Sequence, residues 1–278
     1  MLDRGRFSLN RIACSSLSLP EFLDFVQKLG LGKIELRNDI RDGKVLDGMD
    51  PRRAASLMKE RGLKVTTINA LQKFNLASGR PKARTELAAM LATCAEIDCP
   101  AVVLCPNNDA ADGRSPEARL QETADSLREF GPMFEKAGVL GFVEPLGFGI
   151  SSLASLDLAI EAIKASGFSC YRVLVDTFHH YIGPDEKASL KKAAASGLVG
   201  LVHISGVESD IPAADFRDAH RIMPGPGDVM KSKEIVHALL AAGYKGDISF
   251  EPFSESVQKL PPEELKAEIN KSIAWLSQ

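Results

Sequence analysis

Absent from this chain is any uninterrupted apolar run of the roughly 18 residues that a membrane-spanning helix needs. Its first residues, MLDRGRFSLNRIACSSLSL, scatter charges where a secretory signal would keep a continuous apolar stretch. Cysteines are few, five in all and without CxxC spacing, so a paired-thiol zinc or redox motif is excluded. Cys14, Cys94, Cys99, Cys105 and Cys170 fall mostly in apolar runs, where cysteine serves as a small core residue. A reduced, cytoplasmic protein is expected, with no membrane partner. There is also no surplus of positive charge: 34 Lys and Arg stand against 37 Asp and Glu, a formal net charge of −3. A nucleic-acid partner, which calls for a basic face, is therefore not expected. No GxGxxG follows the first apolar run, which argues against a dinucleotide fold.

What the chain does have is a regular alternation of short apolar runs with longer helical patterns. Hydrophobic residues make up 45% of its 278 residues, enough for a sizeable core. Eight runs read as strands: 7–13, 33–37, 64–70, 101–105, 140–145, 171–176, 198–206 and 247–252. They lack strict apolar/polar alternation and are mostly β-branched, as parallel strands covered on both faces should be. Between them apolar residues recur at intervals of three and four, as in Leu19, Phe22, Leu23, Val26 and Leu29. Asp50-Pro51 reads as an N-cap with proline at the first helical position. Gly30, Gly62, Gly138, Gly167, Gly197 and Gly243 take the stop positions. Eight strands, each followed by a helix, favour one α/β domain over 1–278, a closed (β/α)8 TIM barrel. Two irregular pieces, 106–115 and 206–230, follow strands four and seven at the end of the barrel where such folds build their sites.

Four ionisable residues stand at or near the ends of strands five to eight: Glu144 in GFVEP, Asp176 in VLVD, His203 in LVHISG and Glu251 in ISFEP. Adjacent strands should bring them together at the barrel mouth. Three carboxylates alone would repel one another and take up protons. A divalent cation removes that conflict and accounts for the histidine. One imidazole and three carboxylates suit Mn²⁺, Mg²⁺ or Co²⁺, and zinc also accepts such ligands. The competing reading is ordinary strand-end salt bridges, which is less economical for four residues on consecutive strands.

Through FVEPLGF, VDTFHH, LVHISGV, HRIMPGPGD and ISFEPF, with IELRND and TINALQKFN, the chain resembles the xylose isomerase-like TIM barrels over essentially its whole length. That family includes sugar isomerases, ketose 3-epimerases and endonuclease IV. The IELRND, INALQKFN, EPLGF and DTFHH stretches are most similar to the inosose (2-keto-myo-inositol) isomerase branch. The resemblance implies a metal-dependent isomerase working through a cis-enediol. Glu144 and Glu251 would be ligands and acid/base groups, and Asp176 and His203 plain ligands, with manganese the expected ion. It further implies a keto-polyol or ketose substrate, inositol or other carbohydrate metabolism, and a homo-oligomer. The chemistry suits the residue types: a cation across a ketone and the neighbouring hydroxyl acidifies the C–H between them, and a carboxylate moves the proton.

His179 matches a family position that contacts substrate oxygen and has the Asp-x-x-His spacing; His180 lacks it and is expected at the surface or in packing. Arg221, before PGPGD, could clamp substrate oxygens or be a solvated loop charge. Glu35 and Asn69 are strand-end residues that could bind substrate hydroxyls, and His237 is expected at the surface. A ketose 3-epimerase of the tagatose or psicose type would use the same residues. An endonuclease IV-like hydrolase would need extra histidines on strands three and four and in the loop after strand seven, a cluster that five histidines in all do not comfortably fill.

Overall fold

The computed structural model describes residues 2–278. Its strands are β1 (Phe7–Asn10), β2 (Lys33–Arg37), β3 (Lys64–Leu71), β4 (Ala101–Leu104), β5 (Leu140–Val143), β6 (Tyr171–Asp176), β7 (Val199–Ile204) and β8 (Asp247–Phe250). All neighbours pair in parallel, and β1 pairs with β8 to close an eight-stranded barrel. The helices are α1 (Leu19–Leu29), α2 (Pro51–Glu60), α3 (Arg80–Ile97), α4 (Pro116–Ala137), α5 (Leu156–Ser166), α6 (Thr177–Ile182), α7 (Lys187–Ala195), α8 (Ser232–Ala241), α9 (Glu255–Gln258) and α10 (Pro262–Leu276). Among the described residues no helix is long and apolar enough to cross a membrane.

Local chemistry sets the boundaries. The Asp50 side chain accepts from Arg53 N at 3.0 Å and Pro51 opens α2, while Gly138 and Gly167 close α4 and α5 at φ +66° and +79°. Those left-handed conformations suit glycine, which has no Cβ to clash. Two expectations are corrected. The run 7–13 is not one strand: the Asn10 side chain accepts from Ile12 N at 3.0 Å and turns the chain into a 3₁₀ segment, Arg11–Cys14. After β6 there are two helices, because α6 stops at Gly183-Pro184 before α7 begins.

Side chains two apart on a strand share a face, so the face that presents site residues can be traced downward. Phe142 lies below Glu144, Leu174 below Asp176 and Leu201 below His203, and these three belong to one buried apolar cluster with Ala101, Val103 and Cys105. On β8, β1, β2 and β3 the same face instead carries polar pairs: Ser249 and Glu251, Ser8 and Asn10, Glu35 and Arg37, Thr67 and Asn69, all buried. Register puts Glu35 opposite both Asn10 and Thr67, and His203 opposite both Asp176 and Ser249. One half of the barrel interior is thus apolar and the other half polar.

Near the β1–α1 turn, the buried Arg11 donates to Asp47 Oδ2 at 2.6 Å, and the same oxygen accepts from Leu19 N at 2.7 Å, where α1 begins. Removing the half-buried Asp47 would strand the buried Arg11 charge. Asp47→Ala is expected to cost about 3–5 kcal/mol, read as a lower urea midpoint; an unchanged midpoint would show the pair to be dispensable.

Candidate functional site

Glu144 and Glu251 lie one residue past β5 and β8, held by backbone bonds from Glu144 N to Leu104 O (3.1 Å) and Glu251 N to Ile204 O (2.9 Å). Asp176 ends β6, and its Oδ1 caps α6 by accepting from Phe178 N and His179 N at 2.7 and 3.2 Å. That cap leaves Oδ2 facing the barrel axis, 3.9 Å from His203 Nδ1. His203 Nδ1 also lies 3.1 Å from Glu144 Oε1 and 3.1 Å from Glu251 Oε2. One ligand-type atom from each of the four residues lies within 4.8 Å of the other three, and all four residues are buried. The structure brings the four together as a single cluster.

Arg221 does not lie in solvent. It is 1% exposed, its Nη2 donates to Asp176 Oδ2 at 2.5 Å and Glu251 Oε2 at 2.8 Å, and its guanidinium sits over the Phe178 and Phe253 rings. Asn69 Nδ2 reaches Glu251 Oε1 at 3.3 Å. Glu35 is not at the mouth: fully buried, it lies 3.1 Å from His203 Nε2, behind the imidazole, and accepts from Thr67 Oγ1. His179 and His180 are both buried, so neither is a surface residue. Neither Nδ1 has a hydrogen-bond partner among the described residues; His180 packs with its Nδ1 3.7 Å from Asp185 Oδ2, whereas the His179 ring touches Phe148 and Phe178 and lies beside Arg221 and the cluster. The chain at Gly147 passes so close that a Cβ there would lie 2.0 Å from the His179 carbonyl oxygen. Glycine at that position is what lets the β5–α5 segment cover His179. His237 is exposed on α8.

Sequence reasoning missed Asn10 and Arg37. Arg37 Nη1 donates to Glu251 Oε1 at 2.8 Å, with Asp39 on its other edge at 2.6 Å, and Asn10 Nδ2 reaches the same Glu251 oxygen at 3.1 Å. The available signal was the two-residue spacing of polar residues in SLN, IELR, TTIN and SFE. Cys105 Sγ, 3.5 Å from Glu144 Oε2, is another neighbour that composition alone did not single out. Burial, then Glu144, pushes its thiol well up, so it stays protonated and donates.

The charges are strongly coupled. Burial pushes the Asp176 carboxyl above its ordinary value despite Arg221. Burial acts the same way on Glu251, but His203, Arg221 and Arg37 outweigh it and hold that carboxyl well below the usual range. Burial would lower His203, yet Glu251, Glu35 and Glu144 raise its imidazole well above normal. His179 is lowered to about 4 by burial and then by Arg221, so it is neutral at neutral pH. Beside the cluster lies a cleft of ≈ 800 Å³ whose walls include Phe148, Ile182, Phe216 and Asp218; Phe148 touches the His179 ring and Asp218 pairs with Arg221 at 3.2 Å.

The donor set fits a divalent ion. Four buried carboxylates and two buried guanidiniums leave two negative charges when His203 is neutral, as it must be to act as a ligand.

A solved structure of a xylose isomerase domain-containing protein from Salmonella typhimurium LT2 is 33% identical and superposes with a TM-score of 0.92, over 100% of this chain and 99% of that one. The IolI protein, solved with a bound zinc atom, is 24% identical over 98% of this chain and 97% of its own, with a TM-score of 0.89, and shares the fold. A 3-dehydroshikimate dehydratase of Pseudomonas putida is 21% identical over 276 residues; the match takes in 96% of this chain but only 41% of that protein's length. The family described as xylose isomerase-like TIM barrel matches residues 23–278, and the chain belongs to it.

Proposed function

We propose that the chain is a divalent-metal-dependent isomerase of a keto-polyol or ketose, of the inosose type, with manganese the favoured ion. The observation that carries this reading is the buried cluster of Glu144, Asp176, His203 and Glu251, whose donor atoms converge within 4.8 Å. A bound divalent cation would supply Lewis-acid polarisation of a carbonyl and its neighbouring hydroxyl. The protein's own groups then move the proton. Glu251 is held by Arg37, Arg221, Asn10 and Asn69, and a carboxylate with that many donors is a weak base. Among the described residues the Glu144 side chain meets only His203 and Cys105, so it is the better placed to remove a proton, with Glu251 acting on the adjacent carbon. Neutral His179, its Nδ1 unpartnered among the described residues, is poised to bond a substrate oxygen. Arg221 would orient a second oxygen.

The test is to incubate chelator-stripped protein with a keto-inositol and with ketohexoses, with and without Mn²⁺, in D₂O, and to follow products by NMR. The reading expects Mn²⁺-dependent deuterium uptake and migration of the carbonyl to the neighbouring carbon. Inversion at C3 of a ketose without migration would move the assignment to a 3-epimerase. Loss of water would move it to the dehydratase activity for which the Pseudomonas relative is named. Deuterium uptake by none of these substrates would remove the enolisation chemistry.

A further inference from the structure

His203 is held from both sides. Its Nδ1 faces the carboxylates of Glu144, Glu251 and Asp176 at 3.1, 3.1 and 3.9 Å, while its Nε2 faces Glu35 Oε2, at 3.1 Å. Glu35 has no exposed surface and lies on β2, across the barrel interior from β7. Its Oε2 also accepts from the Thr67 hydroxyl, and its Oε1 lies 3.4 Å from Asn10 Nδ2. Thr67 and Asn10 are its register partners on the two flanking strands, so the carboxylate is fixed by the sheet itself. An acidic group with no exposed surface, set behind the imidazole, needs another reason to be there than binding a hydroxyl.

We propose that Glu35 is a positioning residue for the metal centre: it accepts the Nε2–H of His203, fixes the imidazole plane and tautomer, and so presents the Nδ1 lone pair to the cation. The inference rests on the metal reading given above. A neutral imidazole carries one N–H and one lone pair. With a buried acceptor behind Nε2, the proton belongs on Nε2 and the free pair on Nδ1, which is the nitrogen facing the other three ligands. The negative charge of Glu35 also makes the imidazole a stronger donor to the metal, as outer-shell carboxylates do elsewhere. Thr67 acts one step further out by holding the Glu35 oxygen in line.

The experiment compares wild type, Glu35→Gln, Glu35→Leu and Thr67→Val as full-length chains. Zinc and manganese affinities are measured by competition with a chelating dye, and each metal-free variant is checked by thermal unfolding. Glu35→Gln keeps shape and acceptor but loses the charge, and is expected to weaken binding about 10-fold; Glu35→Leu loses the acceptor too and is expected to weaken it about 100-fold. Thr67→Val should fall between wild type and Glu35→Gln. A second readout is spectroscopic. In zinc-loaded, ¹⁵N-histidine-labelled protein, wild-type His203 should show a far-downfield Nε2–H and a metal-bound Nδ1. That proton should move upfield in Glu35→Gln, a change that loss of packing would not produce. Should Glu35→Leu fail to fold, Glu35→Gln decides. Wild type that binds neither metal would overturn the metal reading and this role with it. Wild type that binds, with Glu35→Gln equal to it in affinity and Nε2–H shift, would overturn the role of Glu35 alone. Zinc bound through Nε2 would do the same.

Discussion

Glu144→Gln should remove turnover while leaving the metal-free barrel at least as stable as wild type. Glu144 is buried, and its polar neighbours are His203 Nδ1 at 3.1 Å and the Cys105 thiol at 3.5 Å; no guanidinium lies within ion-pair distance of it among the described residues. Without metal, the four buried carboxylates face two guanidiniums and one imidazolium, which leaves one negative charge uncompensated. Glutamine keeps the volume, removes that charge and strands no arginine, so the denaturation midpoint should hold or rise. Function goes the other way, because a ligand and the proposed proton acceptor are lost together. Loss of a general base alone lowers rate by about 10²–10⁴-fold, and metal affinity should fall as well. Sites built for chemistry often give up stability in this manner. Progress curves and urea unfolding on the same preparations decide it. Wild-type turnover, or a midpoint well below wild type, would contradict the account.

The barrel was legible because its strands are written as apolar runs and its turns as glycines. β2 and β6 agree at both ends with the runs 33–37 and 171–176. β3 runs one residue past the expected 64–70, to Leu71, whereas β5 and β8 stop earlier, at Val143 and Phe250, because Glu144-Pro145 and Glu251-Pro252 already belong to the mouth. A polar residue directly after an apolar run was enough to find the four clustered side chains. What the sequence could not convey is depth and approach. Glu35 and Arg37 sit two apart on one face of β2, yet the first lies behind His203 and the second meets Glu251; only barrel closure, with β1 beside β8, brings strands one to three against strand eight. Arg221 reads equally as a clamp on substrate oxygens or a solvated loop charge, because nothing local marks burial. Its place follows from the return of the segment after β7, pinned by the reciprocal backbone bonds of Gly206 and Ile222 at 2.8 Å.

Glu251→Gln should fail on both counts, and the contrast with Glu144→Gln separates charge pairing from charge total. Each variant removes one buried negative charge, but of the two it is Glu251 that touches both guanidiniums: Arg37 at 2.8 Å and Arg221 at 2.8 Å. Attraction falls with distance, so local partners outweigh the sum over the cluster. Breaking such a buried pair costs about 3–5 kcal/mol, somewhat less here because Arg37 keeps Asp39 and Arg221 keeps Asp176. The pH dependence follows in sign. Burial raises the Glu251 carboxyl, but His203, Arg221 and Arg37 outweigh it and set it well below its ordinary value. A depressed folded-state value contributes stability above the unfolded-state pKa, and that contribution is lost as pH falls through the folded one. The stability gap between wild type and Glu251→Gln should therefore be full at neutral pH and narrow in acid, in metal-free protein unfolded by urea across a pH series. His237→Ala, on the exposed face of α8 with only a 2.9 Å bond to Leu276 O, should match wild type in turnover and metal affinity. A gap that widens with acid would mean that Glu251 is not the anchor of the two arginines, whatever its part in catalysis.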